Sequence, residues 1–80
     1  MIPTIASASS ITTPFNPKFY VTGTTTTTTL AGPYWTGEQK TLIKSDSGTL
    51  TVGGGGNIPG THTMTQYTSL ILTFDGTNWY

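Results

Sequence analysis

Eighty residues suit one small domain; twenty of them are Thr, ten are Gly, and only six are charged, three of each sign. Zero net charge, with three scattered lysines and no Arg, excludes the basic stripe of a nucleic-acid binder and argues against charge-driven disorder. There is no Cys, so neither a disulfide framework nor a Cys-based zinc site can staple the fold.

Apolar side chains are scarce: Leu, Ile, Val and Phe total sixteen. Domains this small commonly make up the shortfall with disulfides, a metal or oligomerisation. The first is absent, and one His with three carboxylates makes the second hard to build. Oligomerisation is left. The opening residues Met1 to Ala6 lack a basic region and a continuous apolar stretch, so they do not read as a signal peptide. No segment approaches the ~20 apolar residues of a membrane-spanning helix. The chain reads as soluble, with no membrane insertion.

In chain order, residues 1–17 read as an extended lead-in or linker. Pro3, Pro14 and Pro17, with Ser7, Ser9 and Ser10 between them, favour a segment without internal hydrogen bonds, and Ile2, Ile5, Ile11 and Phe15 could dock it. Residues 18–80 read as a single β domain. Phe19 to Thr22 alternates aromatic and β-branched residues. Thr24 to Thr29, running into Leu30, suits a pleated strand because the branched Cβ of Thr disfavours helix. Gly32 and Pro33 break the chain, and Tyr34 to Gly37 forms a loop with two large aromatics. Lys40 to Lys44 is a short strand, Ser45 to Gly48 a turn, and Thr49 to Val52 a strand with Leu50 and Val52 on one face. Gly53 to Gly56, Asn57, Pro59 and Gly60 make a long glycine loop around Ile58. Thr61 to Tyr67 alternates again. In Ser69 to Phe74, Leu70, Leu72 and Phe74 share a face, and Asp75-Gly76 turns a hairpin into Thr77 to Tyr80. No helix is predicted, and the strand spacing suggests a sandwich, barrel or β-prism.

Catalytic chemistry is thinly represented. The glycine run is followed by Asn57-Ile58-Pro59, not by the Lys and Ser or Thr of a phosphate loop, and reads as a tight corner between close backbones. His62 lies among threonines in a strand with no nucleophile elbow nearby. Glu38, Asp46 and Asp75 could pair as glycosidase carboxylates, but two of them sit in turns where carboxylates accept backbone N–H bonds. No catalytic, cofactor or metal residue is assigned. Thr24, Thr26, Thr28, Thr49, Thr51, Thr61, Thr63 and Thr65 resemble the Thr-x-Thr arrays of ice-binding β-solenoids. Such an array must be flat and in register, and the unequal intervals between these segments argue against it. Tyr34 and Trp35 could stack on sugar rings, whereas Trp79 is better suited to closing a core or subunit contact.

Several runs occur in a telling order: Lys40 to Lys44 after Gly37, then Ser47 to Val52, then Gly55 to Gly60, then Leu70 to Tyr80. This set of strand, Ser-Gly hairpin, Gly-Gly-Asn-Ile corner and final Asp-Gly-x-x-Trp hairpin resembles the short C-terminal β domains of bacteriophage and giant-virus fibre or spike proteins. Val21 to Thr24 fits the same pattern, so the resemblance covers residues 18–80. The six-Thr run and the long glycine stretch depart from it.

The resemblance implies intertwined homotrimers of short antiparallel strands and hairpins, a β-prism or β-helix-like fibre domain. It also implies non-enzymatic work in trimerisation and host-surface attachment on a virion exposed to the medium. Residues 1–17 would then be the junction toward a preceding shaft. Leu50, Val52, Ile58, Leu70, Leu72, Phe74 and Trp79 are the expected trimer core, and Tyr34 and Trp35 the expected contact with a host glycan. A monomeric glycan-binding β module, or a Thr-rich ice-binding-like protein, is the alternative.

Overall fold

The computed structural model describes residues 2–32 and 34–80; the expected break at Pro33 lies partly outside them. Among the described residues there are eight strands and no helix: β1 (Thr4–Ala6), β2 (Ser10–Thr12), β3 (Lys18–Thr22), β4 (Thr29–Ala31), β5 (Gln39–Lys44), β6 (Leu50–Gly55), β7 (Ile58–Met64) and β8 (Ser69–Thr73). The strands form two walls. One is a four-stranded sheet in the order β1-β3-β5-β8. The other consists of the pairs β2-β4 and β6-β7, joined by a parallel bridge from Thr27 to Val52.

The walls arise because the chain passes from one to the other three times. Each pass lays its strand parallel to the one below, giving β1, β3 and β5 on the first wall and β2, β4 and β6 on the second. β8 and β7 then run antiparallel to β5 and β6 and close the top. The expectation of antiparallel strands and hairpins therefore holds only for this upper part. Parallel pairing needs a long return connection, and here the opposite wall supplies it. The passes differ in length: sixteen residues separate Thr4 from its partner Tyr20, and twenty-three separate Tyr20 from Ile43.

Two stretches of residues 2–17 are extended, and each finds its hydrogen-bond partner in a later strand and none within the segment itself. Thr4–Ala6 pairs with Tyr20–Thr22, Ser10–Thr12 pairs with Thr29–Ala31, and Ile11 enters the core. A segment without partners would leave its amides to water, whereas here β3 and β4 satisfy one edge of each strand.

The glycine run also departs from a simple loop. β6 runs through Gly55 and β7 begins at Ile58, so the turn shrinks to Gly56 and Asn57. Gly53 sits at φ +103 beside a register shift, and a Cβ there would fall 1.8 Å from the Gly60 carbonyl oxygen. Only glycine lets the two backbones approach that closely. Asn57 then serves the second wall in place of a strand. Its carboxamide accepts the Leu30 N–H (3.0 Å) and donates to the Leu30 carbonyl (2.8 Å), while its own carbonyl accepts the Trp79 N–H (2.7 Å).

Between the walls lie Ile11, Phe19, Val21, Leu30, Leu42, Leu50, Val52, Ile58, Met64, Leu72, Phe74 and Trp79, all buried. The body is thin, 32 × 29 × 17 Å, as expected of two sheets spaced ~10 Å apart. Its accessible surface is 4109 Å², no more than the ~4,600 Å² exposed by folded monomers of this mass. In this structure one chain covers these twelve side chains.

Two lysines complete that core. β5 turns Lys40, Leu42 and Lys44 inward, and both lysines are fully buried. Their alkyl stems fill apolar space while each ammonium reaches polar groups at the rim. Lys40 pairs with Glu38 (2.8 Å) and donates to the Pro14 carbonyl (2.7 Å), tying down the turn ahead of β3. Lys44 bonds the Asp46 carboxylate and the carbonyls of Asp46 (3.1 Å) and Ser47 (2.9 Å), holding the turn before β6. Lys40→Met keeps the stem but strands the Glu38 carboxylate at a site where its side chain is 5% exposed. Breaking a buried pair in this way typically costs ~3–5 kcal/mol. Urea unfolding should show a loss of that order, partly restored by adding Glu38→Gln; a single variant as stable as the parent would contradict the clamp.

Candidate functional site

The residues expected to face a partner divide sharply once placed. Leu50, Val52, Ile58, Leu72 and Trp79 are fully buried within the single chain, and Phe74 nearly so; Leu70 is half-buried against the same core. Within one chain these side chains pack against one another.

Tyr34 and Trp35 also part company. The Tyr34 ring meets Phe74 edge-on at 4.4 Å between centroids and Trp79 at 5.4 Å, and Phe74 lies 5.0 Å from Trp79. Such edge-on packing adds to the area these rings bury. The cluster closes the end of the core, and Tyr34 is held in it. The Trp79 indole Nε1 has no hydrogen-bond acceptor among the described residues, so ring packing and the backbone bond to Asn57 hold that residue. Trp35 points outward and is 61% exposed. Tyr34, beside it in sequence, is half-buried.

The hairpin that carries Trp79 forms as its sequence predicts. The Asp75 carboxylate accepts the N–H groups of Thr77 (2.8 Å) and Asn78 (2.7 Å), and Phe74 pairs with Trp79. Two further bonds link Thr73 and Tyr80 across the same hairpin.

The three carboxylates are all engaged in structure. Glu38 pairs with Lys40 and accepts the Trp35 N–H (3.3 Å), and Asp46 bonds Lys44 and the Gly23 N–H. His62 is half-buried on β7, opposite Val52. Among the described residues no group of three His, Asp or Glu side chains is placed to hold a metal, no pocket opens, and no helix is long and apolar enough to cross a membrane.

What the structure does assemble are two outer faces. On the first wall, Tyr20 lies beside Ile43, and Ile71 stands opposite Thr41 on the same side. Ile71 is exposed, and Tyr20 and Ile43 are half-buried. On the second wall, threonines from three separate segments come together. Thr51 is directly opposite Thr63, and the bridge at Thr27 sets Thr26 beside Thr51. The unequal passes that hid this alignment in the sequence are taken up in the connections, so the strands stay in register.

Against known proteins, the chain matches no family model, no curated protein and no solved structure. Its chemistry is read from the geometry.

Acid sensitivity follows from the carboxylates. The hydrogen bond from Lys44 and the Gly23 N–H hold the Asp46 carboxyl below the ordinary 3.8, and the N–H groups of Asn78 and Thr77 do the same for Asp75. A carboxyl whose pKa is lower folded than unfolded adds stability above its unfolded value, and loses it as pH falls through the folded value. Thermal melts should therefore hold steady at neutral and mildly acid pH and drop below the 3.8 range. Asp75→Asn should flatten that acid limb; an unchanged limb in the variant would remove Asp75 from the account.

Proposed function

We propose that this chain is a structural module of a virion fibre or spike, exposed to the medium, which works by associating with copies of itself as a homotrimer. The observation that carries the reading is the outer face of the four-stranded wall, where Tyr20 and Ile43 stand side by side on β3 and β5 and exposed Ile71 lies diagonally from Ile43 on β8, opposite Thr41. Lys18, opposite Thr41, is the one charged residue in the paired positions of that face. Flat apolar positions flanked by polar ones suit contact between copies.

Two features support a fibre role over a free-standing one. The strands stack in levels along one direction, and among the described residues the outer edges of β1 and β2 have no strand beside them. At the other end, β7, β8 and the Asp75 hairpin close the stack. Such a body can cap a stacked shaft, and its Thr-rich surface stays hydrated without charge. In this reading, folded chains meet side by side, and the twelve core residues remain inside each one. No catalytic residue or cofactor is assigned. Attachment to a host-surface glycan, where it occurs, would use exposed Trp35.

Sedimentation equilibrium tests the reading. The purified chain should show the mass of three copies, and Ile71→Glu should reduce it to one while circular dichroism stays β-rich. A wild-type chain that remains a single copy at high concentration would overturn the proposal.

A further inference from the structure

We infer that the outer face of the β6–β7 wall is an adsorption surface for crystalline water. Strand register sets which side chains face outward. In β6 the buried side chains Leu50 and Val52 point inward, so Thr51 points out, and its partner Thr63 does the same beside buried Met64. The Thr27 N–H donates to the Thr51 carbonyl (3.0 Å) and the Gly53 N–H to the Thr27 carbonyl (2.7 Å), which locks the third segment alongside. Thr27 is buried, Thr26 and Thr63 are exposed, and Thr51 between them is half-buried. Thr26, Thr51 and Thr63 therefore form one file across three segments. Thr49 and Thr65 flank the file on one side and Thr61 on the other, all exposed.

Adjacent strands are ~4.8 Å apart and alternate residues of a strand ~6.6–6.8 Å apart. These two repeats give a nearly rectangular grid of hydroxyl and methyl groups, close to the oxygen repeats on prism planes of hexagonal ice. Three further properties suit a lattice ligand. The hydroxyls of these six threonines make no hydrogen bond within the chain among the described residues, whereas those of Thr27, Thr28 and Thr68 are bonded to carbonyls. The branched Cβ restricts χ1 and keeps the grid stiff, and buried Leu50, Val52 and Met64 support it from behind. From Ser47 to Phe74 the sequence has no Lys, Arg, Asp or Glu, so no ion imposes its own hydration shell on the grid. A hydroxyl can join a water lattice while the adjacent methyl is caged by it. None of the six is aromatic, and a sugar ring would find no stacking partner among them.

The test is ice growth in the presence of the purified chain, read as thermal hysteresis and as inhibition of recrystallisation, with no added ligand. The wild-type chain should show both. Thr51→Lys and Thr63→Lys should lose both while melting as cooperatively as the parent, and Thr41→Lys on the opposite wall should keep them. Absence of both effects at millimolar wild-type protein would overturn the inference. So would unchanged hysteresis in the two lysine variants. If those variants instead separate associated copies of the chain and ice growth was never affected, the grid is a contact between copies and the inference fails. The measurement does not depend on trimer formation, so the outcomes of the two proposals are separable.

Discussion

The fold is governed by a shortage of apolar material. A sequence with so many threonines and glycines cannot fill a thick interior, and the chain responds by making the interior thin. The two walls share one cluster of buried side chains. Lys40 and Lys44 extend the supply, since their stems pack as hydrocarbon and their ammonium groups are satisfied at the rim. The same bonds fix the turn ahead of β3 and the turn between β5 and β6. Packing and loop geometry thus depend on one strand.

Some of this was legible in the sequence. Alternation in Thr49 to Val52 and in Ser69 to Phe74 marked Leu50, Val52 and Leu72 as one-faced, and they are buried. Asp75-Gly76 gave the hairpin through chemistry local to four residues. The absence of a helical period correctly pointed to an all-β chain. Parallel pairing was not legible, because partners such as Tyr20 and Ile43 are related by no constant interval. The inward lysines were hidden for another reason: Lys is rarely buried unless paired, and here Glu38 and Asp46, with the carbonyls of Pro14 and Ser47 brought near by the fold, make it tolerable.

The candidate surfaces were legible to different degrees. The Thr-x-Thr segments were visible one by one, while their alignment required the Thr27 bridge, which spans twenty-five residues to Val52. Tyr34 and Trp35 are neighbours in sequence with the same aromatic character, yet one closes the core and the other faces solvent. Nothing local distinguishes them; the position of Phe74 and Trp79 does. Asn57 reads in sequence as part of a loop, and a side chain that replaces a strand has no sequence signature beyond its capacity for paired amide bonds. Outside that core the walls present two faces, an aliphatic-aromatic one on the first and a hydroxyl-bearing one on the second.

The central claim is that each chain completes its own interior before it meets another. Sedimentation and circular dichroism on the same samples, taken to dilutions at which copies separate, test it most directly. The account predicts a species of 8.5 kDa that keeps its β signal and melts in one cooperative step. Loss of that signal at the dilution where the copies come apart would contradict it.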